Sequence, residues 1–192
     1  MDVTITLTGT TALLMHNGQL VDSLNPVNQA KKKITGKPAR SKTSDDELEL
    51  RRLEFVGALY LDPDVGPYVP GENIARCLRD AGALTRDGKN VVRGLFVSTN
   101  INPLAYRGPR DPDGLWADEN FRNVAPVRMQ QNRIIRTRPQ FREWTVRAEG
   151  ILDTNVLDFD SLTQIATKAG QMIGLGDWRP RYGRFTALVE EA

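Results

Sequence analysis

The succession of sequence patterns predicts an α+β protein, in which an antiparallel sheet carries helices on one face. The first observation is the alternation of Val, Ile and Leu with Thr from Val3 to Leu7, which is typical of a half-buried strand. The second is an apolar stripe with three- and four-residue spacing from Phe159 to Ile173, which is typical of an amphipathic helix. The third is a glycine-rich segment that follows this helix and leads into a last strand-like stretch.

The composition fits one globular domain and indicates no class of partner by itself. The chain has 192 residues, of which 40% are hydrophobic and 26% charged, and this length is sufficient to bury a core. The net charge of +2 is small, but the charges are segregated along the sequence. Any information about function therefore lies in local clusters of charge rather than in the total.

The residue types that are scarce exclude several kinds of site. Cys77 is the only cysteine and His16 the only histidine, which excludes an intramolecular disulfide and a Cys/His zinc site. No apolar run approaches the roughly 18–20 residues of a membrane span, and the first residues lack the basic start and apolar block of a signal peptide. We therefore expect a cytoplasmic protein that uses neither metal nor cofactor and has no membrane partner.

The first part of the chain is predicted to contain a strand and a basic loop. The strand is expected to continue through Leu13 and Leu14, and residues 16–26 are expected to form a loop. Residues 31–42 hold six basic residues and no acidic one, and their few apolar groups predict a mobile basic loop. The basic residues are Lys31, Lys32, Lys33, Lys37, Arg40 and Lys42. Two interpretations stay open, a solvated linker and a nucleic-acid-binding arm that uses the first three lysines.

A helix is predicted to begin after a cap at Ser44 or Asp45, because the next residues are acidic and suit the positive end of the helix dipole. This role explains the acidic block without a metal ion. The apolar stripe of the helix is predicted to consist of Leu50, Leu53, Val56 and Tyr60. A second helix is predicted over residues 72–81, with Cys77 as a small core residue, and a strand over residues 91–99.

The second half of the chain is predicted to add a loop, an arginine-rich stretch, two strands and a helix. Residues 100–120 are rich in Pro and Gly, which predicts a loop, and residues 121–141 are the part richest in arginine. A strand is predicted over residues 143–152, a helix capped by Asp158 follows, and residues 183–189 form the last strand.

Without its insertions, the predicted order is strand, helix, strand, strand, helix, strand. This β-α-β-β-α-β order predicts a ferredoxin-like core with an inserted helix and an Arg-rich hairpin. We expect a single domain over residues 1–192, with insertions at about 16–44 and 100–141.

The glycine-rich segment, Gly174–Phe185, combines glycines, arginines and aromatic residues in twelve positions. It follows a helix and precedes a strand, the reverse of the Rossmann order, and it lacks the Gly-Lys-Ser/Thr of a P-loop. A helix end at Gly174 or Gly176 followed by a turn at Pro180 explains the glycines alone. A ligand-facing loop also explains the arginines and aromatics, since arginine fits phosphate and aromatics stack on bases. Its candidate binding residues are Gly174, Gly176, Trp178, Arg179, Arg181, Tyr182 and Arg184.

Seven arginines and no lysine lie between residues 122 and 147, and we call this set the arginine belt. Its members are Arg122, Arg128, Arg133, Arg136, Arg138, Arg142 and Arg147. The exclusive use of arginine indicates forked contacts to phosphate or stacking on bases, and Arg128, Arg133, Arg136 and Arg138 are the candidate binding residues. Gln130, Gln131 and Asn132 add amide donors at the expected hairpin tip. A solvated hairpin whose arginines reflect codon bias is the alternative.

The position of the glycine-rich segment resembles that in the RAMP superfamily of CRISPR-associated RNA-binding proteins, in particular its backbone subunits. The matching residues are Gly174, Gly176, Gly183 and Phe185, in a Gly-x-Gly-x6-Gly-x-Phe pattern. The resemblance implies an RRM- and RAMP-like domain that binds RNA and assembles head to tail along it, with a thumb-like hairpin at residues 121–141. The whole chain also resembles a family of uncharacterised actinobacteriophage proteins, which implies a location in the bacterial host cytoplasm.

The sequence thus predicts a non-catalytic protein whose partner is single-stranded nucleic acid, either RNA or DNA, with RNA favoured. Two alternatives stay open. One is a phage-encoded protein that binds a host factor or itself, since Arg, Tyr and Trp are also enriched at protein interfaces. The other is a metal-independent endoribonuclease in which His16, placed after the first strand as in some RAMP endoribonucleases, is the general acid or base.

Overall fold

The computed structural model of the chain describes residues 1–129 and 132–192 and has the mixed α+β composition that the sequence predicts. The strands are β1 (Asp2–Gly9), β2 (Leu13–Leu14), β3 (Leu61–Asp62), β4 (Gly66–Pro70), β5 (Leu95–Val97), β6 (Ile101–Ala105), β7 (Arg122–Met129), β8 (Asn132–Phe141), β9 (Thr145–Leu152) and β10 (Phe185–Glu191). The α-helices are α1 (Pro26–Thr35), α2 (Ser44–Ala58), α3 (Gly71–Ala83), α4 (Gly88–Gly94), α5 (Pro112–Ala117) and α6 (Phe159–Lys168).

The chain folds into two compact units. The first contains Met1–Leu13, Leu61–Arg107 and Phe141–Ala192, and the second contains Leu14–Tyr60 and Gly108–Gln140. The two insertions expected in the sequence fall largely in the second unit. The single-domain organisation itself stays a prediction.

The first unit is built on a sheet in which β1 is an inner strand. Its strand order is β10-β1-β9-β6-β4-β3, and β5 also pairs with β9. β1 pairs antiparallel with both neighbours, so that Ile5 lies opposite Val189 on β10 and Ala148 on β9. Because side chains alternate along a strand, Val3, Ile5 and Leu7 all point to the buried face. The alternation of apolar residues with threonine is therefore what places β1 in the core.

Helices α3 and α6 pack against each other and cover this core. The buried face of α3 contains Ile74, Cys77, Leu78 and Ala81, and that of α6 contains Leu162, Ile165 and Ala166. The Asp158 side chain accepts a hydrogen bond from the Ser161 backbone N–H at 2.8 Å, which confirms the predicted helix cap.

The end of the last helix lies very close to the last strand. After α6 the chain continues as one π-helical turn, Ala169–Ile173, and a Cβ atom on Gly170 would lie 2.0 Å from the carbonyl oxygen of Phe185. Gly170 therefore allows the backbones of this turn and of β10 to approach each other.

The second unit combines α1, α2 and α5 with a sheet of order β2-β8-β7. Strands β7 and β8 pair antiparallel, with Val127 opposite Ile134, and they correspond to the predicted Arg-rich hairpin. Helix α2 begins with a capping box in which the Thr43 hydroxyl accepts from the Asp46 N–H and the Asp46 carboxylate accepts from the Thr43 N–H.

Two predictions near the start of the chain are wrong. The first strand ends at Gly9 instead of continuing to Leu14, because the backbone turns there. The Gly9 N–H donates to the Trp144 carbonyl at 2.8 Å, and the Thr10 and Thr11 N–H groups both donate to the Arg184 carbonyl. These bonds direct the chain away from the line of β1.

The predicted basic loop is largely helical. Asn25 caps α1 by accepting from the Val27 N–H at 2.9 Å, and Pro26 occupies the first helical position, which is a favourable start. A short 3₁₀ turn follows at Ala39–Ser41. Helix α1 packs on α2, where a Cβ on Gly57 would lie 2.9 Å from Val27. Tertiary packing thus orders a segment whose composition predicted mobility.

Helix α2 also differs from its prediction. The residue that caps it is Thr43, directly before the predicted candidates Ser44 and Asp45. Its fully buried residues are Glu54, Phe55, Gly57 and Ala58, whereas the predicted apolar stripe is only half-buried. The reason is that α2 has neighbours on several sides: α1 on one, and Trp116 of α5, whose ring centroid lies 5.5 Å from that of Phe55, on another.

In two further segments the secondary structure differs from the prediction. Residues 88–94 form α4, and only Leu95–Val97 of the predicted strand 91–99 is extended. Residues 100–120, predicted as a loop, contain β6 and α5. The start of α5 is fixed by Asp111, whose carboxylate accepts from the Gly114 N–H at 2.7 Å.

We expect Gly170→Ala to destabilise the protein by about 1–3 kcal/mol, because the new methyl group cannot fit beside the Phe185 carbonyl without backbone movement. Chemical denaturation measures this loss. Gly18→Ala is the matched control, since its Cβ would have nothing within 4 Å, and it should leave the free energy of unfolding nearly unchanged. Equal stability of the two variants would contradict the close approach.

Candidate nucleic-acid interface

The predicted binding residues are distributed over both units. The glycine-rich segment belongs to the first unit, and the three candidate lysines and the four candidate arginines belong to the second. Of the rest of the arginine belt, Arg122 lies in the second unit and Arg142 and Arg147 lie in the first. The structure therefore contains two candidate surfaces, which are described separately.

Two glycines of the glycine-rich segment have a role in the backbone. Gly183 has a φ of +72°, and a Cβ at this position would lie 1.7 Å from the Leu175 carbonyl oxygen. The Leu175 N–H donates to the Gly183 carbonyl at 2.8 Å, and the Gly183 N–H donates to the Ala12 carbonyl at 2.8 Å. Gly174 has a φ of +77° and ends the π-helical turn. Chain geometry therefore accounts for Gly174 and Gly183, while Gly176 is exposed, with a φ of +77°.

The aromatic residues of this segment lie side by side. The ring centroids of Trp178 and Tyr182 are 6.0 Å apart, with a tilt of 46°, and both residues are half-buried. The Arg181 guanidinium lies 5.9 Å from the centroid of the Tyr182 ring. The segment thus presents two aromatic rings and a cation together, the combination on which unpaired bases stack.

The other two arginines of the segment help to hold its shape. The Arg184 Nε donates to the Pro180 carbonyl at 2.8 Å, and the Arg184 N–H donates to the Thr11 hydroxyl at 2.9 Å. The Arg179 Nη2 lies 3.9 Å from a carboxylate oxygen of Asp80 on α3. Both side chains leave part of their guanidinium group accessible, since both residues are exposed.

Cys77 connects α3 to the start of the same segment. Its Sγ–H donates to the Gly174 carbonyl at 3.3 Å, and burial raises the pKa of the thiol to about 12. The thiol is therefore a neutral hydrogen-bond donor and has none of the thiolate character that reactivity requires.

The arginine belt is divided between the two faces of the β7–β8 pair. Arg133 and Arg136 are three positions apart on β8, and because side chains alternate they point to opposite faces. Arg133 lies opposite Arg128, whereas Arg136 and Arg138 lie opposite Ala125 and Asn123. The four candidate arginines therefore form two pairs, Arg128 with Arg133 and Arg136 with Arg138.

Arg122, at the start of the belt, packs within the protein. Its guanidinium lies 4.8 Å from the ring centroid of Trp116, and its Nη2 lies 3.1 Å from a Glu119 carboxylate oxygen. A cation–π contact and an ion pair thus account for this arginine structurally.

A buried carboxylate joins the hairpin to the helices of the second unit. Glu54 on α2 is only 3% exposed. Its Oε1 accepts from the Arg136 Nη1, and its Oε2 accepts from the Thr137 N–H at 3.3 Å. The Lys31 Nζ on α1 lies 3.8 Å from Oε1. Lys31, Glu54, Arg136 and the neighbouring Arg138 are called the Glu54 cluster below.

The Glu54 cluster contains more positive than negative charge. Burial lowers the pKa of Lys31 below its ordinary 10.5, Glu54 opposes that shift, and the positive charges of Arg136 and Arg138 add to it. A groove of about 490 Å³ adjoins the cluster and is lined by residues of α2 and β8, including Glu54, Arg133 and Arg136. Basic side chains from α1 and β8 thus gather beside an open groove, an arrangement that can accept an anion.

The remaining candidates lie on the surface or outside the described residues. Lys32 and Lys33 are exposed on α1. His16 is exposed two positions after the end of β2, and the Tyr60 hydroxyl lies 3.4 Å from its carbonyl oxygen. Gln130 and Gln131 lie outside the described residues, and the structure describes no side chain for Asn132. Within the described ranges, no three His, Cys, Asp or Glu residues are arranged to hold a metal ion.

Sequence reasoning missed Glu54 and a group of cations on the α3–α4 pair. Glu54 follows Leu50 by four positions, so its place on the apolar face of α2 was a signal that it is buried and paired. The cations are separated in sequence and lie close together only because α3 and α4 pack side by side. They are Arg76, Arg79, Arg86, Lys89 and Arg93.

The sequence matches no protein-family model and no curated protein at a significant level. The resemblance to RAMP proteins and to actinobacteriophage proteins therefore stays a prediction. Over the two described ranges, no helix has the length and apolar character needed to cross a bilayer.

We expect Glu54→Gln to destabilise the protein by about 3 kcal/mol or more, because it leaves partly buried cations without their carboxylate. The control is Glu47→Gln on the same helix, whose side chain is 71% exposed and pairs with Arg51 at 3.8 Å. The Glu47→Gln change should lower the free energy of unfolding by no more than about 0.5 kcal/mol. Urea denaturation of both variants measures the difference, and similar losses would contradict a buried, paired Glu54.

Lys31 should make stability depend on alkaline pH. The pKa of Lys31 is lower in the folded protein than in the unfolded chain. At pH values between the lowered pKa and the ordinary 10.5, the unfolded chain therefore binds more protons than the folded protein does. The Lys31 contribution to the free energy of unfolding therefore rises with pH in this range. We expect the stability of the wild type relative to Lys31→Met to increase accordingly, with Lys33→Met controlling for the loss of one lysine from α1. A constant difference would contradict the lowered pKa.

Proposed function

We propose that this protein is a non-catalytic single-strand nucleic-acid-binding protein, with RNA as the favoured ligand. The observation that carries the proposal is the Glu54 cluster. Two basic segments that are about a hundred residues apart in sequence, around Lys31 and Arg136, meet there at one carboxylate. Guanidinium and ammonium groups that gather beside an open groove can bind a phosphate group of a strand.

The exposed arginine pair near the end of the hairpin supports the same ligand. Arg128 and Arg133 lie directly opposite each other on β7 and β8, and both are exposed. Two guanidinium groups that lie opposite each other can both donate hydrogen bonds to one phosphate.

The glycine-rich segment supports a single strand rather than a duplex. Trp178 and Tyr182 lie next to each other beside Arg181, and such a platform needs bases that are not stacked within a duplex. The preference for RNA rests on the RAMP resemblance. That resemblance also underlies the proposal of head-to-tail assembly along the strand. The proposal of a cytoplasmic location rests on the single cysteine and on the resemblance to actinobacteriophage proteins.

The strand order in the first unit supports the proposed ferredoxin-like, RAMP-like core. Strands β10, β1, β9 and β5 are neighbours in this order, and each adjacent pair is antiparallel. Helix α3 lies between β1 and β5 in the chain, and α6 lies between β9 and β10. A β-α-β-β-α-β unit whose strands lie in the order fourth, first, third, second has this arrangement.

One observation favours a second candidate function, the binding of another protein. Phe96 on β5 lies opposite Ile151 on β9, and the two side chains are 65% and 50% exposed. Exposed apolar side chains that lie next to each other can form part of an interaction surface. A stable complex with a host protein that is lost in Phe96→Ser, together with an absence of strand binding, would favour this function.

The proposal is tested by titrating labelled 20-nucleotide oligo(U) and oligo(dT) with the protein at 50 and 200 mM salt. We expect binding that weakens steeply with salt, since each neutralised phosphate releases counterions. Absence of salt-sensitive binding to both strands would refute the proposal. Cleavage of the RNA that is lost in His16→Ala would replace it with the ribonuclease alternative.

We expect Arg128→Gln combined with Arg133→Gln to weaken oligo(U) binding, because the change removes two exposed guanidinium groups that lie opposite each other on the hairpin. The slope of log affinity against log salt should become less steep by about 1.4, or about 0.7 for each phosphate contact. The charge-matched control is Arg52→Gln with Arg107→Gln, since Arg52 already pairs with Asp113 at 2.8 Å. Equal slopes in the two double variants would remove the hairpin from the interface.

A further inference from the structure

The α3–α4 pair of the first unit carries a groove that the proposed interface does not include. The groove has a volume of about 700 Å³, and its lining contains four cationic and no acidic residues. The cationic residues are Arg79, Arg86, Lys89 and Arg93. Its apolar lining consists of Ala83 and Val92, and Val92 is 62% exposed. A second hollow of about 380 Å³ shares Arg79 and Val92 with it and adds Arg76 and Glu72.

The charges of this groove are largely without partners inside the protein. Arg79 forms an ion pair with Asp80, with an N–O distance of 2.6 Å. For Arg86, Lys89 and Arg93, no ion pair occurs among the residues that the structure describes, and all three are exposed. The groove therefore keeps an uncompensated positive charge on a concave surface, where the electrostatic potential is focused.

Arg86 occupies an unusual backbone position for its residue type. Its φ is +67°, in the left-handed region that glycine adopts at no steric cost and other residues avoid. It lies just after the end of α3, where glycine is the usual residue. An arginine held in a conformation that favours glycine is a local cost in stability, which is typical of functional positions.

The groove is connected to the glycine-rich segment through one carboxylate. Asp80 on α3 pairs with Arg79 in the groove, and its other carboxylate oxygen lies 3.9 Å from Arg179 in the glycine-rich segment. The guanidinium groups of the two sites are thus neighbours around Asp80.

We propose that the α3–α4 groove is a phosphodiester-binding site that continues the strand path beyond the glycine-rich segment. This inference rests on the proposed function and extends it. Arg86, Lys89 and Arg93 each contact a phosphate of the strand, Val92 packs against a sugar, and Arg79 and Arg179 contact the backbone where it passes Asp80. The groove contributes affinity and length of contact but no base preference, since phosphate contacts carry no sequence information.

The observations favour a nucleic-acid backbone over an acidic peptide in this groove. An acidic amphipathic helix needs a row of apolar side chains on which its anchor residues pack, and the apolar side chains that line this groove are Ala83 and Val92. Continuity with a segment that carries adjacent aromatic rings also points to a ligand with both phosphates and bases.

The first test compares Lys89→Gln combined with Arg93→Gln against wild type, using labelled 20-nucleotide oligo(U) over a range of salt. The expected slope of log affinity against log salt is less steep by about 1.4, which is about 0.7 for each lost contact. The charge-matched control in the same unit is Arg107→Gln with Lys168→Gln, which should keep the wild-type slope. An unchanged slope in the groove variant, with normal binding by wild type, overturns this inference and leaves the proposed function intact. Absence of binding by wild type overturns both.

The second test uses Arg86→Gly, which removes the charge and relieves the backbone strain together. We expect a melting temperature equal to or above that of wild type, and an affinity for oligo(U) about tenfold lower at 50 mM salt. If Arg86 has only a structural role, Arg86→Gly should instead lower the melting temperature and leave the affinity for oligo(U) at the wild-type value. That result overturns the proposed phosphate contact of Arg86. Fluorescence titration with a synthetic acidic peptide, such as an oligo-Glu 12-mer, adds a further control. Peptide binding in the groove that excludes oligo(U) would overturn the assignment to nucleic acid.

Discussion

The buried carboxylate of Glu54 is the constraint on which the second unit depends. It is the point where α1, α2 and the β7–β8 pair meet, through Lys31, Arg136 and the Thr137 N–H. A buried charge is tolerated only when it is paired, so the sequence must supply cations from both neighbouring elements. The same requirement concentrates positive charge at one place. Structural need and the capacity to bind an anion therefore arise from one set of residues.

Several elements of the first unit are predicted correctly from the sequence because the signals for them are local. The threonine alternation of β1, the Asp158 cap and the apolar stripe of α6 all depend on residues within one element. The failures have a common cause in tertiary contact. Helix α1 is ordered by packing on α2, and α4 replaces a predicted strand because Val91 packs beside Gly82, where an added Cβ would come within 2.8 Å. Apolar composition alone does not distinguish a short buried strand from a short helix.

For the candidate site, the sequence identifies residue types but not their grouping. The arginine belt is continuous in sequence, yet strand alternation places Arg133 and Arg136 on opposite faces of the hairpin. Arg122 instead packs against the Trp116 ring. Conversely, Lys31 and Arg136 are neighbours that no sequence pattern connects. The glycines of the glycine-rich segment are the instructive case. A Cβ at position 183 would lie 1.7 Å from the Leu175 carbonyl oxygen, so glycine is needed there. Backbone packing therefore explains Gly183, and the residue is not by itself evidence for a ligand.

The pairing of β1 has a consequence for how the chain acquires its structure during synthesis. This strand is made before its partners β9 and β10, which are more than a hundred residues away in sequence. A ribosome adding roughly 5–20 residues per second leaves β1 without its sheet neighbours for several seconds or longer. Such long-range pairing also gives a high contact order and slow folding. The apolar face of Val3, Ile5 and Leu7 thus has no sheet neighbours in the nascent chain until β9 and β10 have been made.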